Sequence, residues 1–133
     1  AIHQHDPAAR PAVTVYELVE RFQGFALVRA LPKTGRTHQI RLHLAHVGLP
    51  VLCDKLYGDP SQITELELIP HGRNRQDVQS DETLQQPILE RQALHAHRLA
   101  FNHPTTSERM QFEALLPADM ESTLNALRHW RAV

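Results

Sequence analysis

The segment Thr34-Gly35-Arg36-Thr37-His38-Gln39-Ile40-Arg41 is where residue types and spacing could do chemistry. It offers two arginines, a helix start that Thr37 could cap, and an apolar Ile40 between polar neighbours. Arginine forks bind phosphate bidentately. A helix start adds free backbone N–H groups and the positive end of the helix dipole. Between Gly24 and Leu52 there is no Asp or Glu, while Arg29, Lys33, Arg36 and Arg41 fall there with His38, His43 and His46. A basic stripe inside a chain of net charge -1 reads as a local anion-facing surface. The alternative is an ordinary solvated first helical turn. Arg41, if it points inward, needs a carboxylate partner.

The other reactive side chains form weaker patterns. The ten histidines suggest metal, with His95 and His97 on one side of a strand and His43 and His46 about a turn apart. Zinc needs further ligands, and no HExxH, CxxC or carboxylate at helical spacing accompanies them, so they read as surface or hydrogen-bonded core histidines. Cys53, the one cysteine, stands in the apolar run Val51-Leu52-Cys53 with no helix start after it. It reads as a small buried hydrophobe rather than a nucleophile. Asp54 and Asp59 flank Tyr57 in a loop, where carboxylates more often bond loop backbone than do acid–base work. There is no GxSxG, P-loop or GxGxxG.

The elements that must carry this segment follow from periodicity. The run from Ala12 to Phe22 is rich in β-branched and aromatic residues and reads as a strand. Gln23-Gly24 is a turn, and the alternation from Phe25 to Leu31 is the second strand of a hairpin. Pro32 to Gly35 is turn chemistry. A helix is expected from His38 to Val47, with Thr37 as its cap and Ile40, Leu44 and Val47 as a core-facing stripe. Gly48 and Pro50 stop it. Val51-Leu52 is a candidate brief strand, and Ile63 to Leu68 has room for one or two helical turns. His71 to Gln86 is polar without period, so an exposed insertion is expected over 60–90. Gln92 to Phe101 and the alternation around Met110 to Leu116 form a second hairpin. Asp119 to Trp130, with Met120, Leu124, Leu127 and Trp130 on one face, is an amphipathic helix. Residues 1–11 read as a linker or frayed end. The fold class is α+β, a mixed, mainly antiparallel sheet with helices packed on one side.

Size and composition bound these readings. The 133 residues carry 14 Lys+Arg, 15 Asp+Glu and 41% hydrophobic residues, which suits one domain and excludes a disordered chain. No run of 18 apolar residues is present, and the first residues do not resemble a signal peptide. A single cysteine fits a reducing, cytoplasmic setting. The chain starts with Ala rather than Met, so a fragment or trimmed product is expected.

The block TGRTHQIRLHLAHVGLPVLCDKLYG, Thr34 to Gly58, closely resembles the signature of the RluA-like family of pseudouridine synthases. RQALHAHRLAFNHPTTSERMQFEALLPADM, Arg91 to Met120, resembles that family's C-terminal hairpin block, and the lead-in from Ala12 is similar to the strands before the signature. The resemblance implies half of a pseudouridine synthase catalytic domain, residues 12–133 being its C-terminal portion. It implies isomerisation of uridine in structured RNA, ribosomal or sometimes transfer RNA, with no metal or cofactor and an aspartate as the essential nucleophile or base. The target nucleotide leaves its stack to react. By the same resemblance Arg41 pairs with the catalytic aspartate and Ile40 packs near the uracil. Lys33, Arg36, Thr37 and His38 face RNA, Leu94 and Ala96 line the site, and Asp54, Tyr57 and Gly58 are structural. The family's HRLD-type motif is missing: His97-Arg98-Leu99-Ala100 ends in Ala and belongs to the C-terminal block. The nucleophile is therefore expected in an upstream half that this chain lacks. Cys53 stands where the family usually has Gly, and Ser107 where a turn Gly is usual, each at a cost in backbone ease. A non-catalytic RNA-binding module derived from the family is the alternative.

Overall fold

The computed structural model describes residues 10–71 and 81–133. In chain order its elements are β1 (Thr14–Phe22), β2 (Phe25–Pro32), α1 (Gln39–His46), β3 (Ile63–Thr64), α2 (Glu65–Leu68), a 3-10 turn (Glu82–Gln85), β4 (Pro87–Leu89), β5 (Arg98–Asn102), β6 (Arg109–Glu113) and α3 (Ala118–Trp130). The fold is α+β. Its strands pair as three antiparallel ribbons, β1–β2, β3–β4 and β5–β6.

The β1–β2 hairpin turns at Gly24, which takes a φ of 80° that a side chain would resist. A bulge between Leu18 and Glu20 shifts the register, so that Phe22 stands opposite Phe25 and shares a face with Leu27. Without the extra residue Phe22 would fall on the other face. The bulge thus delivers a buried phenylalanine, flanked by Phe25 and Leu27, to the core. The rest of that core is Cys53, Ile63, Leu68, Leu89, Met120, Leu124, Ala126 and Leu127. In α3 the expected stripe is buried at Met120, Leu124 and Leu127, and Trp130 packs against it. Acidic Asp119 and Glu121 in the first turn and basic Arg128 and His129 in the last agree with the helix dipole.

Several expectations are corrected. The stretch 60–90 is not an exposed insertion throughout: Ile63, Leu68, Ile69 and Leu89 are buried, and β3 and β4 pair across it. These elements are two to four residues long, too short to carry a period. The middle of the polar run, 72–80, lies outside the described residues, as do residues 1–9 of the expected linker. Val51-Leu52 forms no strand, because the chain turns there with Asp54 N–H donating to Val51 C=O. β5 begins at Arg98, not Gln92. The segment before it is bonded irregularly instead, with Ala93 N–H on Leu52 C=O and the rings of His95 and His97 both at Ala114 C=O.

Helix α1 departs most from its pattern. It starts at Gln39, preceded by His38 in the left-handed region at φ 51°, and no side chain caps it, so Thr37 is not the cap. Of the expected apolar stripe, Ile40 and Leu44 are half-buried and Val47 is 63% exposed. The buried residue of α1 is Gln39. A buried amide must be satisfied, and Gln39 is. Its Oε1 accepts from Thr34 Oγ1 at 2.6 Å and Arg36 N–H at 3.1 Å, and its Nε2 donates to Val13 C=O and Thr14 Oγ1. Gln39 therefore ties the helix start to both the preceding turn and β1.

Candidate functional site

Arg41 sits in the first turn of α1, two residues after the Gln39 anchor, and turns inward to the loop that follows the helix. Its Nε donates to Asp54 Oδ2 and its Nη2 to Asp54 Oδ1, both at 2.7 Å. The Asp54 side chain has no exposed surface and that of Arg41 is 13% exposed. This is a parallel, charge-assisted fork, the strong form of the interaction.

The loop is built to present that carboxylate. Asp54 Oδ1 also accepts the N–H groups of Leu56 at 3.0 Å and Tyr57 at 3.3 Å. Gly58 N–H donates back to Asp54 C=O at 2.9 Å. A Cβ at Gly58 would stand 2.7 Å from Val51 C=O, so the loop closes only around a residue without one. Cys53, immediately before Asp54, is fully buried with a φ of 60°. Its burial pushes the thiol pKa up, which suits a packed hydrophobe rather than a thiolate.

The Arg41 hydrogen bonds, reinforced by the two backbone donors against the cost of burial, lower the Asp54 pKa from 3.8 to about 2. Arg41 is raised in turn, chiefly by the same hydrogen bonds. With four donors on its two oxygens, Asp54 has little accepting capacity left. It is suited to orient a cation and unsuited to take a proton or attack carbon.

The ring of Tyr57 covers one side of the guanidinium, with Arg41 Cζ 5.1 Å from the ring centroid. The Tyr57 hydroxyl lies 3.0 Å from His38 Nδ1, and the two rings meet edge-on at 5.8 Å. Arg41 Nη1 has no partner among the described residues. The site is thus a guanidinium held on one edge by Asp54, on one face by Tyr57, and left with one unengaged nitrogen beside an acid-free, basic loop.

A family model described as RNA pseudouridylate synthase matches residues 2–46. Ribosomal large subunit pseudouridine synthase D of Pasteurella multocida is 40% identical over 130 residues, 96% of this chain. Its namesake in Haemophilus influenzae is 38% identical over 130 residues, and that of Pseudomonas aeruginosa 40% over 126. By sequence, the chain resembles the RluA-like pseudouridine synthases along nearly its whole length. It spans 35% of the length of these curated relatives. The pseudouridine synthase match begins at residue 2, inside the stretch expected to be a linker.

Of the residues that the pseudouridine synthase signature singles out, the structure brings His38 and Arg41 together through Tyr57. Lys33, Arg36 and Thr37 are exposed on the loop before α1, Arg36 donating from Nε to Pro11 C=O at 3.3 Å. Ile40 is half-buried beside Arg41. Leu94 is half-buried and follows Ala93, whose N–H bonds Leu52 C=O next to the Asp54 turn, while Ala96 is exposed. Within this chain the carboxylate that Arg41 meets is Asp54. The requirement that an inward arginine have a carboxylate was legible in the sequence. Which of two loop aspartates would supply it was not, because spacing alone does not close a loop.

The histidines find local partners. His43 Nδ1 lies 3.1 Å from Thr14 Oγ1, and His103 Nδ1 accepts the N–H groups of Thr105 and Thr106. Among the described residues no three His, Cys, Asp or Glu side chains gather as a metal site would need. No helix among them is long and apolar enough to cross a membrane.

Proposed function

We propose that the chain is the C-terminal part of the catalytic domain of an RNA pseudouridine synthase. The parent protein isomerises uridine to pseudouridine in structured RNA, foremost ribosomal RNA, in the cytoplasm and without metal or cofactor. The observation that carries this reading is the 40% identity over 130 residues to ribosomal large subunit pseudouridine synthase D.

The geometry supports a division of labour. Asp54 is saturated with donors and held ionised, so the nucleophilic aspartate belongs to the remainder of the parent catalytic domain. Arg41 offers that aspartate its unengaged edge and keeps it ionised, since a nearby cation favours the carboxylate form. Ile40 packs near the uracil, and Leu94 and Ala96 line the site. Lys33, Arg36 and Thr37 meet the RNA backbone at its mouth, with His38 beside them. Alone, the chain binds RNA weakly and turns nothing over.

The test uses the intact parent protein and its gene. The protein should release tritium from C5-labelled uridine in ribosomal RNA, and cells lacking the gene should lose a ribosomal pseudouridine. An intact protein that binds RNA but releases no tritium, with an unchanged modification map, would overturn the enzyme reading in favour of a non-catalytic RNA-binding module.

A further inference from the structure

His38 lies in the basic loop, where an RNA contact is the obvious role. Its geometry points elsewhere. The residue adopts φ 51°, a left-handed conformation that costs a non-glycine residue free energy and persists only where surroundings hold it. What holds it is visible. Its backbone C=O accepts the N–H of Leu42 at 2.9 Å, and its ring nitrogen lies 3.0 Å from the Tyr57 hydroxyl. Tyr57 comes from the far side of the 47–58 loop and spreads its ring over the Arg41 guanidinium.

A guanidinium fixed only along one edge can still rock about that edge. A ring on its face removes that motion and excludes water from that side. The backbone N–H of Tyr57 is held by Asp54, which fixes the residue but leaves its ring free to turn, so the ring needs an anchor of its own. His38 is that anchor, reaching from the residue before α1 to the tip of the loop. We propose that His38 and Tyr57 are positioning residues for Arg41, a strut that fixes the direction of its unengaged Nη1, and that His38 is not itself an RNA contact. The proposal rests on the pseudouridine synthase reading for its kinetic consequences and on the geometry alone for the strut.

The experiment compares Tyr57→Phe, His38→Asn and the double substitution in the intact parent protein. Phe keeps the ring and loses the hydroxyl, and Asn tolerates the left-handed backbone while being too short to reach Tyr57. Five quantities are measured: kcat and KM for tritium release, Kd for the RNA, the thermal midpoint, and hydrogen exchange at Arg41 Nε. Each single substitution should lower kcat about 10-fold, the scale of a small misplacement at a reacting centre, with RNA Kd changed less than about 2-fold. Each should speed Nε–H exchange, and the double variant should be no worse than the poorer single one, as for two parts of one device.

A His38→Asn variant that raises RNA Kd with kcat unchanged would overturn the proposal, as would effects of the two substitutions that multiply. Unchanged Nε–H exchange in both variants would do the same. Should the wild-type protein release no tritium while both substitutions speed Nε–H exchange, the function reading falls and the strut stands.

Discussion

Arg41 and Asp54 trade water for each other, and the trade makes each dependent on the other. Removing the guanidinium leaves an ionised carboxylate with no exposed surface and only two backbone donors. Breaking a buried pair from one side costs about 3–5 kcal/mol. Arg41→Ala should therefore lower chain stability by that amount in urea denaturation. Arg41→Ala combined with Asp54→Asn should recover part of the loss, because the stranded charge is gone. A loss under about 1 kcal/mol in the single variant would mean that the fork does not persist in solution. The same pair sets a pH dependence. The Asp54 pKa is lower folded, at about 2, than its ordinary 3.8. Its contribution is thus fully present above about pH 5 and is lost as pH falls from about 4 through about 2, amounting to roughly 2 kcal/mol. Acid titration of the Asp54→Asn variant should lack that component, with a flatter stability curve over this window.

Loops, more than helices or strands, decide the local architecture at the scale of elements. The turn carrying Asp54 closes because Gly58 has no Cβ to meet Val51 C=O. Gly58→Ala should cost about 1–3 kcal/mol, the range for an inserted methyl with backbone as its neighbour. Two other turns hold a side chain where glycine would sit more easily, Cys53 at φ 60° and Ser107 at φ 61°. Glycine adopts those angles without the clash that a Cβ brings. Ser107 is exposed, so Ser107→Gly should stabilise the β5–β6 hairpin by about 0.5–1 kcal/mol: relief of left-handed strain exceeds the added freedom of the unfolded chain. Cys53 is buried in the core, so in Cys53→Gly the same relief is offset by lost packing, and the net change should stay within about 1 kcal/mol. Thermal melts of the two variants should therefore differ, although the backbone angles are nearly the same.

The whole molecule leaves much apolar surface in water. On β5–β6, Leu99 pairs with Phe112 and Phe101 with Met110 on one face, while Arg98–Glu113 and Asn102–Arg109 occupy the other. Leu99 is 60% exposed and Phe112 51%, and the Phe101 and Phe112 rings stack. Val15, Leu18 and Val19 on β1 and Leu42 and Val47 at α1 are exposed as well. Apolar surface of this kind favours association. The chain by itself should self-associate at micromolar concentration in sedimentation, and Leu99→Glu with Phe112→Lys should shift it toward monomer without lowering the thermal midpoint. A monodisperse, monomeric wild-type chain would contradict this.

Hairpin β1–β2, the amphipathic α3 and the basic start of α1 were determined by the sequence itself, because each is written in local periodicity or composition. Met120, Leu124 and Leu127 at helical spacing have one way to be buried, and an acid-free stretch is basic in any fold. The 34–58 block also carried the family resemblance. Tertiary structure decided what local pattern does not encode. A β-bulge moved Phe22 onto the core face. Two- and three-residue strands placed Ile63 and Leu89 inside a stretch whose composition reads as exposed. The apolar residues of α1 stayed near the surface while Gln39 went inside, because a side-chain amide can bind a turn and a strand at once. Above all, the partner of Arg41 was settled by loop closure: Asp54 and Asp59 are equally plausible along the chain, and only the turn between Val51 and Gly58 brings one of them beneath the guanidinium.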